Sequence, residues 1–186
     1  TPSVYQPGAL KAFKLGGHAS AFGASTSTGG GLKYVADNGF AVSTTFNSKG
    51  AADGTKGLFT KEDQNKINTQ VAYTQDNYHV SATYSIQRAW NSWSYYATKD
   101  LVCSAGCAAY DSTGIALRAW WRPEETGTAV PSISVGYDLI DFGSERSTSD
   151  GVTEGSGYMV GLNWSDMFQA DDKIGLAIGQ PMKATD

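Results

Sequence analysis

Charged side chains are scarce in this sequence of 186 residues. Asp, Glu, Lys and Arg make up 17% of it, whereas a typical soluble domain contains about 25%. The net charge is only −4 at pH 7 and no cluster of Lys and Arg occurs, so the basic surface needed to bind a phosphate backbone is missing. The composition therefore argues against nucleic acid as a partner.

Long apolar runs are absent as well. A transmembrane helix needs about 18 or more consecutive apolar residues, and the sequence contains no such stretch. A membrane protein of this composition would have to cross the bilayer with β-strands. The first residues, Thr1-Pro2-Ser3, have neither the charged start nor the apolar stretch of a secretory signal, so we expect any signal to have been removed or to lie upstream.

Only two cysteines and two histidines occur, which makes a zinc site improbable and gives no reason to expect a metal or another cofactor. Cys103 and Cys107 lie in the segment Cys-Ser-Ala-Gly-Cys. They could close a small disulfide ring in an oxidising compartment such as the periplasm or the cell surface. We predict this disulfide, and the alternative is a pair of free thiols in a loop.

Strict alternation of apolar and polar residues, the period of a β-strand, dominates the rest of the sequence. Helical periodicity is nowhere convincing, and the 22 glycines, 10 tyrosines and 5 tryptophans suit a β-rich, partly lipid-facing protein. We predict four antiparallel hairpins between residues 29 and 183, and a strand or loop over residues 1–28. The eight alternating segments are 32–36, 40–46, 67–73, 78–86, 115–121, 133–139, 158–164 and 174–178.

The connections between these segments alternate in length. The turns within the hairpins are short, whereas the links between hairpins, residues 47–65, 87–112 and 140–156, are long, polar and rich in Gly, Ser and Asp. A transmembrane β-barrel has this pattern, with short periplasmic turns at one rim and long extracellular loops at the other. A soluble sandwich has no reason to separate its connections in this way.

The polar face of the predicted strands consists mostly of Gly, Ala, Ser, Thr and Asn. A soluble antiparallel sheet also alternates apolar with polar residues, but its wet face usually carries many Lys and Glu side chains. Small neutral residues are more typical of the lining of an enclosed lumen.

Aromatic residues flank the short turns, as expected if large amphipathic rings lie at the headgroup level of a bilayer. The alternative is that they are ordinary β-formers in a hydrophobic core. The predicted aromatic girdle comprises Tyr34, Phe40, Tyr73, Tyr78, Trp121 and Trp164.

The strands of the last hairpin resemble a known family. The runs Gly-Tyr-Met-Val-Gly-Leu-Asn-Trp at 157–164 and Ile-Gly-Leu-Ala-Ile-Gly-Gln-Pro at 174–181, with Ala-Trp-Trp-Arg-Pro at 119–123, resemble the cyanobacterial branch of the carbohydrate-selective porins, often called iron-uptake porins. The resemblance covers most of residues 29–183. It implies a 16-stranded, homotrimeric barrel in the outer membrane of a Gram-negative-type (cyanobacterial) cell, often preceded by a surface-layer-homology domain and a helical spacer that bind the cell wall.

The sequence departs from that family in two ways. It has about half the expected strands with no surface-layer-homology sequence before them, and residues 183–186 lack the terminal aromatic residue of such barrels. The interior of an eight-stranded barrel is normally filled by side chains, and the small residues of the polar face are too small to fill it. We therefore expect a fragment of a wider barrel. The alternative is a complete small barrel plugged by its own loops.

We find no phosphate-binding loop, no nucleophile elbow and no cluster of metal ligands, so we predict that the protein is not an enzyme. His79 and Ser81 could suggest a hydrolase, but a polar lining is the simpler interpretation. The predicted function is passive, weakly selective diffusion of small hydrophilic solutes, namely inorganic ions, iron or sugars, through a channel surrounded by outer-membrane lipids. The competing prediction is a soluble β-sandwich that binds carbohydrate.

Charged side chains that line a pore determine which ions pass through it. Few ionisable residues lie on the small-residue face, and Arg118 and Asp138 fall close together across the third hairpin. The alternative role for such residues is local pairing that only stabilises the barrel. The candidate pore-lining residues are Lys33, His79, Arg118, Arg122 and Asp138.

Overall fold

The computed structural model describes residues 28–51, 53–56, 60, 63–88, 111–142 and 153–185. The predicted disulfide between Cys103 and Cys107 lies outside these residues, as does all of the predicted strand or loop over residues 1–28 except Thr28. The described chain is all-β. Its eight strands are β1 (Thr28–Val35), β2 (Phe40–Ser48), β3 (Asn65–Thr74), β4 (Tyr78–Arg88), β5 (Ser112–Trp121), β6 (Ser132–Asp141), β7 (Glu154–Ser165) and β8 (Lys173–Ala184).

The eight strands form a single antiparallel sheet in which each strand pairs with the next one along the chain, from β1 to β8. This confirms the predicted all-β class, the number of strands and the four hairpins. The described strands form an open sheet that is not closed into a barrel: β1 pairs only with β2, and β8 pairs only with β7. There is one sheet among them and not the two stacked sheets of a sandwich.

Connections of different length lie at opposite ends of the sheet, because consecutive antiparallel strands reverse direction. We call the two ends the short-turn end and the long-link end. Four short connections lie at the first and three long ones at the second, as the sequence predicts. The short-turn end contains residues 36–39, 75–77, 122–131 and 166–172, and at the long-link end the chain leaves β2, β4 and β6 and re-enters at β3, β5 and β7.

The first short turn depends on a glycine. Gly39 has a φ of 89°, in a region that residues with a Cβ atom rarely adopt. A Cβ atom there would also lie 2.1 Å from the carbonyl oxygen of Thr74. The Asn38 side chain accepts a hydrogen bond from the Phe40 N–H group (3.1 Å), an interaction typical of Asn in turns. These features set the register of β1 against β2.

Candidate functional site

From β3 to β7, one face of the sheet is polar and mostly buried and the other is apolar and exposed, whereas β1 is exposed on both faces. In β4, every second residue from His79 to Gln87 is buried, while Tyr78, Val80, Tyr84 and Ile86 between them are exposed. Strand β6 has the same pattern over most of its length. Soluble sheets have the opposite arrangement, in which apolar residues are buried and polar residues meet water.

The polar face continues across the sheet in rows of paired residues, because directly paired residues in antiparallel strands point to the same side. One such row crosses the middle of the sheet from β1 to β7. Lys33, at one end of the row, is exposed on the edge strand, whereas Asp138 is buried. The row contains Lys33, Ser43, Gln70, Thr83, Ala116, Asp138 and Gly157.

Arg118 and Asp138 form an ion pair on this face, and both side chains are only 5% exposed. The two residues are diagonal neighbours, since Arg118 pairs with Gly136 and Asp138 pairs with Ala116. Two parallel hydrogen bonds join guanidinium and carboxylate, Nη1 to Oδ1 and Nη2 to Oδ2, the second at 2.9 Å. Nη1 also donates to the carbonyl oxygen of Leu117 at 2.9 Å. Such bidentate geometry is the strong form of this interaction, so each charge is neutralised by the other.

His79 is buried near the short-turn end of β4. Its Nδ1 lies 2.7 Å from the hydroxyl of Thr74 and its Nε2 lies 3.1 Å from the hydroxyl of Ser81. The ring stacks on Trp120 with 6.1 Å between centroids and 5° between planes. In a catalytic triad the imidazole would be oriented by a carboxylate. Here both nitrogen atoms meet hydroxyl groups, an arrangement that holds the ring against the wall.

Arg122 lies beyond the end of β5 and is exposed. Its Nε and Nη2 atoms donate to the carbonyl oxygen of Asp76 at 2.9 and 2.6 Å, and its backbone N–H donates to the carbonyl of Asn77 at 2.8 Å. The guanidinium carbon lies 5.5 Å from the centre of the Trp120 ring. Arg122 thus joins two neighbouring short turns, and the structure places it at the rim of the sheet and not within the wall.

The six residues of the predicted aromatic girdle lie near the short-turn end, on the apolar face. Phe40 pairs with Tyr73, and Tyr78 pairs with Trp121. The rings of Tyr73 and Tyr78 are 6.0 Å apart. Four of the six side chains, those of Phe40, Tyr73, Tyr78 and Trp121, are 36 to 39% exposed, so they lie on the outside of the sheet and not in a core. Tyr34 is more exposed, while half-buried Trp164 donates its indole N–H to the carbonyl oxygen of Ala129 at 2.9 Å.

Two buried charged residues were missed by the sequence analysis, Lys66 and Asp63. Lys66 lies on the polar face of β3, one residue before the alternating segment 67–73, and extending the alternation by one residue would have found it. Asp63 precedes β3 and accepts hydrogen bonds from the Ser48 hydroxyl (2.6 Å) and the Gly50 N–H group (3.1 Å). No periodic pattern covers this link, so the sequence carries no signal for Asp63.

Within the described ranges, no three His, Cys, Asp or Glu residues lie close enough together to hold a metal ion. The same residues include no helix of the length and apolar character needed to cross a membrane. Comparison of the chain with protein-family models, with curated proteins and with solved structures finds no match.

Proposed function

We propose that this chain forms the wall of a β-barrel porin, a channel in an outer membrane through which small hydrophilic solutes, such as inorganic ions, iron or sugars, diffuse passively. The observation that carries the proposal is the inverted sheet. Of the buried residues other than glycine in the described chain, six are hydrophobic and thirteen are polar or charged. The large aliphatic and aromatic side chains point outward, which lowers free energy only where an apolar solvent such as lipid surrounds the sheet.

Strand length and connection pattern support the same proposal. The strands are 8 to 12 residues long, and a tilted transmembrane strand needs about 9 to 11. Short turns at one end, long links at the other and exposed aromatic rings beside the short turns are all typical of outer-membrane barrels. The resemblance to carbohydrate-selective porins suggests the solute classes and a homotrimer.

The low exposure of the polar face supports a narrow lumen. Side chains as long as Gln87 and Arg118 are buried, so protein atoms cover this wall. The water-filled path that remains would admit small solutes and exclude larger ones. Where the polar face stays accessible, as at Thr45 on β2, its hydroxyl groups meet the solute, which suits ions and sugars without selecting one of them.

Adjacent cysteine substitutions on β2 test the proposal. Thr45 and Thr44 are both exposed; Thr45 pairs with Asn68 on the polar face, and Thr44 pairs with Thr69 on the apolar face. In planar bilayers, a charged water-soluble thiol reagent should reduce single-channel conductance in Thr45→Cys and leave Thr44→Cys unchanged. Wild-type protein treated in parallel controls for Cys103 and Cys107.

Three outcomes would contradict the proposal. The first is an absence of conductance steps from the purified wild-type protein. The second is an equal response of the two cysteine variants, because a pore wall has one wet face. The third is a protein that stays monomeric and soluble without detergent, as the carbohydrate-binding alternative requires.

A further inference from the structure

A cavity of about 540 Å³ lies at the short-turn end, between the turn at residues 75–77 and the start of the turn at residues 122–131. Its volume falls within the range of small-ligand sites, about 300 to 1,000 Å³. Its lining includes the aromatic residues Tyr73 and Tyr78 and the charged residues Asp76, Arg122 and Glu124. The cavity therefore brings two aromatic rings of the apolar face together with charged residues of the turns.

The charged residues of the lining are one cation, Arg122, and two anions, Asp76 and Glu124. The guanidinium of Arg122 is fixed by its two bonds to the carbonyl oxygen of Asp76 through Nε and Nη2. These bonds leave Nη1 to donate to a ligand. Glu124 follows Arg122 by two residues and lines the same cavity. A purely anionic ligand would be repelled by the carboxylates of Asp76 and Glu124, whereas a ligand carrying both charges meets a partner for each.

We infer that this cavity binds the phosphoethanolamine headgroup of a membrane phospholipid. The phosphate accepts hydrogen bonds from Arg122, as guanidinium groups commonly provide. The primary ammonium donates to the Glu124 carboxylate. The acyl chains continue along the rings of Tyr73 and Tyr78, which lie at the headgroup level of the proposed barrel. The assignment rests on the proposed function, because it requires this rim to lie in a lipid headgroup layer.

Choline provides the sharpest comparison, because its trimethylated nitrogen carries the same charge but donates no hydrogen bond. Calorimetric titration of the full-length protein in detergent should show that short-chain phosphatidylethanolamine binds about tenfold more tightly than phosphatidylcholine, the effect of a charge-assisted hydrogen bond. Glu124→Gln should abolish this preference. Arg122→Gln should weaken the binding of both lipids to a similar extent, because they share the phosphate.

Glu125→Gln is the matched control, since Glu125 is the adjacent exposed carboxylate and does not line the cavity. It should bind both lipids like the wild type. Equal affinity of the wild-type protein for the two lipids would overturn the inference. So would binding of free phosphoethanolamine as tight as that of the lipid, since the ligand would then be a soluble solute.

Conductance separates a failure of this inference from a failure of the proposed function. Glu124→Gln should conduct like the wild type, because the cavity lies at the rim and outside the polar face. Normal conductance without headgroup preference would overturn the headgroup site alone. Headgroup preference in a protein that never conducts would overturn the porin and leave a lipid-binding sheet.

Discussion

At the scale of single residues, Arg118 and Asp138 form an ion pair in which two opposite charges of the buried face neutralise each other. Two charges that leave water lose a large hydration energy, which the bidentate contact offsets only while both partners are present. Removal of one partner leaves an unpaired buried charge and typically costs roughly 3 to 5 kcal/mol. The same change exposes the remaining charge to a permeating ion, so this pair links stability to selectivity.

We predict opposite shifts in ion selectivity from the two halves of this pair. Arg118→Gln leaves the Asp138 carboxylate unpaired and should move the reversal potential toward cation preference. Asp138→Asn leaves the guanidinium unpaired and should move it toward anion preference. The measurement is the reversal potential in planar bilayers under a salt gradient.

The double variant Arg118→Gln/Asp138→Asn is the control, because it removes both charges and should return the reversal potential close to that of the wild type. If neither single variant changes selectivity, the pair lies outside the permeation path. A shift of both variants in the same direction would show that the face assignment of the third hairpin is wrong.

Asp172 gives the turn at residues 166–172 a dependence on pH. Its carboxylate accepts hydrogen bonds from the backbone N–H groups of Met167, Phe168 and Gln169 at 2.8, 2.9 and 3.1 Å. Partial desolvation raises the pKa of Asp172, but these hydrogen bonds lower it by more, so the pKa lies below the ordinary value of 3.8. Because the pKa is lowered, the carboxylate stabilises the turn fully at pH values above the ordinary pKa of 3.8. This stabilisation is lost as the pH falls through the folded-state pKa.

We therefore expect the amide protons of residues 167–169 to exchange slowly between about pH 5 and 7 and to lose protection only as the pH falls below 3.8, through the folded-state pKa of Asp172. Amide hydrogen exchange in detergent micelles is the measurement, with rates normalised to the intrinsic exchange rate at each pH. Asp172→Asn should lose most of this protection at every pH. Asp171→Asn is the control, because Asn tolerates the positive φ of 67° at this position. Protection in Asp172→Asn equal to that in Asp171→Asn would contradict the prediction.

The sequence predicts the position of a single residue where that position depends on the alternation of side chains along a strand. The alternation places His79, Arg118 and Asp138 on one face, and the structure places them there. It does not show that Arg122 binds the carbonyl oxygen of Asp76, because that contact joins two turns separated by 46 residues. Turn contacts depend on how hairpins lie side by side, and a pattern within one strand contains no such information.

At the scale of the strands, the exposed apolar face gives a depth-dependent prediction. Leu117 lies near the middle of β5 and is 46% exposed, whereas Ile133, near the start of β6, pairs with the girdle residue Trp121. Leu117→Arg should lower the free energy of unfolding by about 2 to 4 kcal/mol, the cost at a bilayer midplane. Ile133→Arg, near the headgroups, should cost about 0 to 1 kcal/mol.

A folding titration in lipid vesicles measures both variants. The difference between them is the informative quantity, because a strand in water would tolerate Arg equally well at two exposed positions. Equal costs at the two sites would contradict the lipid-facing assignment of this face. A larger cost for Ile133→Arg would place the bilayer midplane near the short-turn end.

The number and order of the strands were the most predictable features of the fold. The residues at which the strands begin and end were the least predictable. Each of the eight alternating segments lies within a strand except for Ala36, which follows β1, but β7 begins at Glu154 and β8 continues to Ala184, beyond the segments 158–164 and 174–178. The extension of β7 and β8 includes a register shift between Ser156 and Tyr158. The extra residue lies in β8, which advances three residues from Gln180 to Lys183 where β7 advances two. The period of two therefore breaks in β8, which hides the end of that strand from a search for alternation.

At the scale of the whole molecule, the two edges of the sheet must be reconciled with a membrane. An edge strand has a row of N–H and C=O groups without partners in the sheet, and each such group costs several kcal/mol in hydrocarbon. In the described part of the chain, the outer sides of β1 and β8 are such edges. If the sheet lies in a bilayer, these strands pair either with each other or with further strands. The sequence predicts the antiparallel neighbours but contains no pattern that identifies what pairs with an edge.

Hydrogen exchange in lipid vesicles distinguishes a closed barrel from an open sheet. In a closed barrel every strand has two neighbours, so the amide protons of β1 and β8 should be protected to nearly the same degree as those of β4, which is central in the sheet. In an open sheet, about half of the amide groups of each edge strand point away from the neighbouring strand and should exchange much faster than those of β4. Fast exchange of alternate amides in β1 together with full protection of β4 would therefore exclude closure. Since an unpaired edge is not tolerated in hydrocarbon, the same result would also contradict the membrane-spanning arrangement on which the porin proposal depends.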